Sequence, residues 1–176
     1  GRLAAPSIPT ATMSSRAADA ERLRQQLRMT PTDRIAWHNL AAAEGDLGRV
    51  AEAEAAARRA IALGLEAPET RLVLARALQS QRRLDDAEKL FRDAIARRPA
   101  YVDAHRDLAQ LLWMRSGQAT LALAPLDRAL RAAPGEAGLH LVRSTVLEFA
   151  GDIDAALSAV EAGLARAPGH KDLLRQ

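Results

Sequence analysis

The sequence contains no cysteine. This excludes a disulfide framework, a thiolate metal site and a cysteine nucleophile, and it fits a cytoplasmic location. Aromatic residues supply only 3% of the chain, although 48% is hydrophobic. Alanine and leucine do most of the apolar work, which favours closely packed helices over strands built from Val, Ile, Tyr and Phe. No apolar run reaches the ~18 residues needed to cross a membrane, so no membrane contact is expected. The opening stretch, Gly1 to Thr10, also lacks the apolar core of a signal peptide. Charge of one sign is not in great excess: the net charge is +3. The pI near 10.1 reflects arginines that titrate late, since 23 of the 25 basic residues are Arg. Glu54/Arg58, Glu88/Arg92, Asp93/Arg97 and Asp127/Arg131 stand four apart, acid first, as on solvated helix faces. A basic stripe with interleaved aromatics is missing, so no nucleic-acid partner is expected.

What the chain does contain is a repeat. Ala53 and Ala87 are 34 residues apart, as are Ala60 and Ala94, and Leu40 and Leu74. From Ala94 to Ala129 and from Pro99 to Pro134 the step is 35, after which it returns to 34 between Ala122 and Ala156. One residue is therefore inserted in the third repeat. Each repeat reads as two helices. The first members span about 34–47, 68–81, 102–115 and 136–149, and the second about 50–63, 84–97, 119–132 and 152–166. Turns at Gly48, Arg82, Gly117 and Gly151 divide the pairs, and Pro68, Pro99, Pro134 and Pro168 punctuate the repeats. The extra residue is placed near Ser116–Thr120. With Pro125 soon after, the second helix of that repeat is expected to begin late, near Thr120, or to kink.

The small-residue slots resemble those of the tetratricopeptide repeat (TPR) family, whose 34-residue pattern is Trp-x2-Leu-Gly-x2-Tyr, then Ala-x3-Phe, then Pro. The first repeat offers Trp37, Leu40, Ala41 and Ala53, and the second Leu74, Ala75, Ala87, Phe91 and Pro99. The third offers Leu108, Ala109, Ala122, Leu126 and Pro134, and the fourth Leu147, Gly151, Ala156, Val160 and Pro168. Glu44 departs from the usual Tyr and Arg143 from the usual Leu. The resemblance implies an all-α, right-handed solenoid of stacked antiparallel hairpins. It divides the chain into an extended tail at 1–14, a lone capping helix at 15–30, four repeats over 31–168, and the first turns of a further helix at 169–176. That last segment reads as the start of a longer protein.

Two catalytic patterns tempt and fail. His105-Arg106-Asp107 matches an iron-binding His-x-Asp and also the His-Arg-Asp of protein kinases. Inside a helix, positions two apart diverge by about 200°, so His105 and Asp107 cannot share a metal. The kinase pattern needs Asn where Leu112 stands, together with a glycine-rich phosphate loop that is absent. His105 and His140 share one repeat slot with Trp37 and Arg71, which reads as a packing position rather than a cluster. No catalytic site, metal or cofactor is expected, and the chain is not read as an enzyme.

The remaining candidate surface is the first-helix face turned away from the buried stripe. In the third repeat it carries Arg106, Gln110 and Trp113, at i, i+4 and i+7. The TPR resemblance implies that this face lines a concave peptide groove. By repeat position the second repeat adds Leu72, Arg76 and Gln79, the first His38 and Ala42, and the fourth Leu141, Thr145 and Glu148. The Lys/Asn/Arg clamp of chaperone-binding members is not reproduced, because His38 and Ala42 occupy two of its places. Arg76 and Arg106 are expected in one groove beside Trp113, which implies a protein or peptide partner with acidic residues. Self-association through the N-terminal tail or the open C-terminal end is a further expectation. A rival reading rests on Ala104 to Arg115, which is similar to the repeat region preceding the catalytic domain of some bacterial 2-oxoglutarate/iron oxygenases. It implies a non-catalytic accessory region of a larger enzyme.

Overall fold

The structure is a computed structural model and describes residues 10–166. Every regular element among them is a helix: α1 (Thr10–Met29), α2 (Arg34–Asp46), α3 (Val50–Ala62), α4 (Pro68–Ser80), α5 (Leu84–Arg97), α6 (Val102–Ser116), α7 (Ala119–Ala132), α8 (Ala137–Phe149) and α9 (Ile153–Arg166). The starts are written in the sequence. Asp33 caps α2, its Oδ1 accepting from the Ala36 N–H at 2.9 Å, and Asp152 does the same for Ala155 at the head of α9 at 3.0 Å. Pro68 opens α4, where its missing N–H costs nothing. Asp85 and Asp86 lie in the first turn of α5, against the positive end of the dipole.

The chain divides into two compact units between Leu90 and Phe91, inside α5. In the first unit α1 packs on α2, and α4 packs on both α2 and α3. Its interior is mostly alanine and leucine, with Ala41, Ala57, Ala60 and Ala75 fully buried. In the second unit α6 and α7 pair, as do α8 and α9, and α8 packs on both α6 and α7. Its apolar centre includes Ala122, Leu126, Leu139, Val142 and Leu147.

Four helices end in the same way. The N–H groups of Arg49, Leu65, Arg83 and Asp152 reach back to the carbonyls of Glu44, Ala60, Leu78 and Leu147, at 2.9–3.1 Å. The residue before each has a positive φ: Gly48, Gly64, Arg82 and Gly151. This closure turns the chain sharply and satisfies carbonyls that the helix would leave open. Arg82 adopts it at φ 64 without glycine's freedom, alone among non-glycine residues described.

The third repeat ends differently, and there the inserted residue is found. α6 has 15 residues where α2, α4 and α8 have 13, and only Gly117 and Gln118 separate it from α7. The Gly117 N–H bonds the Trp113 carbonyl at 2.8 Å. α7 begins at Ala119, one residue later relative to its first helix than in the other repeats and within a residue of the expected late start near Thr120, and it continues through Pro125. The longer α6 takes up the extra residue before the turn, and the start of α7 moves one residue along. Leu121, whose carbonyl Pro125 leaves without a helical donor, is 51% exposed, so water is at hand. The tail boundary also shifts. Thr10–Ser14, expected to be extended, belongs to α1, while residues 1–9 and the further helix expected at 169–176 lie outside the described residues.

Gly138 marks a close approach between α6 and α8. A Cβ built there would lie 2.7 Å from Cγ2 of Val102. Gly138→Ala should therefore destabilise by about 1–2 kcal/mol, although alanine is the better helix former by about 1 kcal/mol. Thermal melts of Gly138→Ala with and without Val102→Ala check this. If the valine truncation does not reduce the loss, contact with Val102 is not its cause.

Candidate functional site

The slot shared by Trp37, Arg71, His105 and His140 has one job. Trp37 Nε1 donates to the Pro31 carbonyl at 2.9 Å, and Arg71 to that of Leu65 at 2.7 Å. His105 and His140 donate through Nε2 to the carbonyls of Pro99 and Pro134, each at 2.8 Å. In every repeat the slot residue thus ties down the carbonyl six positions earlier, in the loop that enters the repeat. Trp, Arg and His qualify because each carries a donor on a large side chain. Nδ1 of His105 is buried without a partner, and burial holds this histidine below its ordinary pKa despite the Pro99 bond. Among the described residues no group of three or more His, Asp or Glu side chains is placed to hold a metal ion.

The expected groove residues divide between the two units. In the first, Arg76 is exposed on α4. It borders a pocket of about 210 Å³ whose walls include Val50, Ala53, Val73 and Ala77, with Ala42 and Asp46 on the α2 side. Gln79 is half-buried. Leu72, expected on the same face, is 3% exposed and belongs to the interior. His38 is half-buried and hydrogen-bonded through Nδ1 to Oγ1 of the fully buried Thr70, at 2.9 Å. Burial lowers its pKa and Glu69 raises it, with burial prevailing. His38 thus ties α2 to α4.

In the second unit Arg106 is exposed and pairs with Asp103 at 2.7 Å. Gln110 and Glu148 are exposed, Thr145 donates to the Leu141 carbonyl of its own helix at 3.0 Å, and Trp113 is half-buried against the unit's apolar centre. The indole therefore offers part of its surface and spends the rest on packing.

The pairing of charges is less local than the sequence suggests. Glu54 does bond Arg58 at 2.9 Å, but it also accepts from Gln81 at 2.6 Å and Arg83 at 2.9 Å in the turn after α4. Burial pushes this carboxyl up, and the three hydrogen bonds outweigh it and hold it below its ordinary pKa. Asp127 does not take Arg131 as expected; Arg143, sixteen residues away, donates to it through Nε at 2.8 Å. Glu44, 1% exposed, is bonded by Arg24 from α1 and by Arg49 at 3.3 Å. The departures from the repeat pattern at 44 and 143 were the sequence signal for both networks.

Residues 37–67 and 72–137 match the family described as Tetratricopeptide repeat. The chain is a TPR protein. Among curated proteins none matches it. Solved structures that resemble it include TTC0263, a thermophilic TPR protein of Thermus thermophilus, with TM-score 0.66 and 21% identity, covering 94% of this chain and 90% of that one. MamA matches at TM-score 0.65 and 18% identity over 89% of this chain and 85% of that one. YrrB, described as a TPR protein with an unusual peptide-binding site, matches at 0.59 and 14% over 94% and 84%. At these identities the likeness shows the fold alone: an all-α helical-repeat solenoid. TPR arrays are protein–protein interaction scaffolds, and this TPR chain is of that class.

Proposed function

We propose that this TPR protein binds extended peptide segments of a partner on the first-helix faces of its units, and that the segments it takes are acidic. The observation that carries the reading is the pocket beside Arg76. It is about the size of one side chain, with Val50, Ala53, Val73 and Ala77 among its walls, Asp46 and Ser80 beside them and the exposed residue Arg76 on its border. Such a pocket takes an apolar side chain while the Arg fork meets a neighbouring carboxylate. On α6 the exposed Arg106 and Gln110 and the part-exposed Trp113 offer a fork, an amide and a ring. Both faces are open to solvent, so affinity should be modest and should fall as salt rises.

Peptides selected on the whole chain from a displayed random library test this. Asp or Glu next to a bulky apolar residue should be enriched. Arg76→Glu with Arg106→Glu should abolish binding of the selected peptides with helicity and melting temperature nearly unchanged. Trp113→Ala should weaken binding by about 1–3 kcal/mol. Selected peptides without acids, or peptides that bind the charge-reversed chain equally well, would refute it.

A further inference from the structure

The second unit carries another concavity, a cleft of about 510 Å³ among α7, α8 and α9. A cleft of about 360 Å³ in the first unit is its repeat-related counterpart. Leu27, Trp37 and Ala56 line the one where Leu130, His140 and Ala159 line the other, each pair 103 residues apart. The two differ in charge. In the first unit Arg24 and Arg28 face Glu44 and Glu52, so the lining is balanced. In the second unit Arg131, Arg143 and Arg166 face Asp127 alone, three positive charges against one negative.

Arg143 produces much of this difference. Its slot holds Leu40, Leu74 and Leu108 in the other repeats, at 6%, 2% and 1% exposure. The arginine is about one-third exposed, and its partner Asp127 stands where the first two repeats carry Arg58 and Arg92. A buried leucine has become an arginine, and an arginine on the adjoining helix has become the acid that holds it. Asp127 engages only Nε, so the two terminal nitrogens of Arg143 make no hydrogen bond among the described residues. Arg131 and Arg166 are exposed and make no ion pair among them either. An anchored fork whose terminal nitrogens meet no acceptor among the described residues, flanked by two more guanidinium groups, is arranged to receive an oxyanion.

We propose that this cleft binds an acidic segment of a protein partner, with an Asp or Glu carboxylate on Arg143 and an adjoining apolar side chain against Leu130 and Ala159. The apolar floor favours a peptide over a bare anion, because it gains only from an occupant with hydrocarbon beside its charge. The site is separate from the face proposed above: on α8, Arg143 and Thr145 are two residues apart and so point about 200° away from each other.

The test uses the whole chain, isotopically labelled, and a capped Leu-Glu-Glu-Leu tetrapeptide followed by amide chemical shifts. Saturable shifts should concentrate on residues 127–143 and 158–166. Leu-Gln-Gln-Leu and inorganic phosphate should each bind about tenfold more weakly or worse. Arg143→Leu restores the leucine of the other repeats and should weaken peptide binding about tenfold or more without lowering the melting temperature. Arg131→Ala with Arg166→Ala alters only exposed side chains and should weaken it similarly. Unchanged binding in both variants, equal binding of the glutamine peptide, or phosphate binding as tight as the peptide's would each overturn the proposal. The Arg76→Glu, Arg106→Glu chain should bind this probe at the cleft as the parent does, so this site and the first-helix faces fail separately.

Discussion

Removing Arg24 and Arg49 together should destabilise the first unit by about 3–5 kcal/mol, the cost of a buried charge left without a partner. Glu44 fills a slot that holds Leu78, Leu112 and Leu147 in the later repeats, and at 1% exposure it is as buried as Leu78. A carboxylate tolerates that position because Arg24 arrives from α1 and Arg49 from the turn after α2. The two arginine side chains are 36% and 43% exposed, so water can partly replace either one alone, and each single alanine variant should lose only about 1 kcal/mol. Glu44→Leu should be neutral or stabilising, since an apolar residue of similar volume avoids desolvating the carboxylate. The same change should rescue most of the loss in the Arg24→Ala, Arg49→Ala chain. Urea unfolding of the parent and the five variants, followed by circular dichroism, separates the possibilities. A double arginine variant as stable as the parent would show that buried Glu44 does not need these partners, and a Glu44→Leu chain as damaged as that double variant would show that the ion cluster itself stabilises the unit and that the loss is not that of an unpaired charge.

The repeat itself was legible because it is periodic and small: alanine at 53, 87, 122 and 156 recurs once per repeat, and each is buried. That is why the expected boundaries of most helices fall within one residue of those observed. The start of α1 was not legible. Thr10–Ser14 follows Pro9 and carries Met13 as its one large apolar residue, so no amphipathic spacing announces a helix there. The insertion was placed near Ser116–Thr120, and the structure puts it at the end of α6 and the turn that follows, within that range. Charge pairing misled. Asp127 and Arg131 satisfy the four-residue rule of an isolated helix, but a packed neighbour offers Arg143 at 2.8 Å, and the rule is blind to neighbours. Of the candidate site, the sequence located the exposed arginines on α4 and α6. It could not show that Leu72 turns inward, that His38 is committed to Thr70, or that Trp113 is half spent on packing.

His105→Ala should cost about 2–4 kcal/mol, second only to the arginine pair, because it removes a 1%-exposed side chain and the donor that satisfies the Pro99 carbonyl. His105→Arg places in the slot what the second repeat uses at Arg71, so most of that loss should be avoided. The histidine also makes stability depend on pH in a definite direction. Its Nε2–H is given to the Pro99 carbonyl and its Nδ1 is buried without a partner, and burial holds its pKa below the ordinary histidine value. Below about pH 6.5 the unfolded chain takes up a proton that the folded chain refuses, so stability is full above that pH and declines as pH falls toward the folded value. His38, also lowered by burial, adds to the decline in the same window. Melting temperatures of the parent between pH 7.5 and about 5 should therefore fall, and the His105→Arg chain should lose part of that slope because its slot no longer titrates there. A parent whose melting temperature is flat across the window, or a variant whose slope equals the parent's, would show that the unpartnered Nδ1 carries no penalty. If His105→Ala melted with the parent, the slot bond would be a consequence of the repeat's packing and not one of its causes.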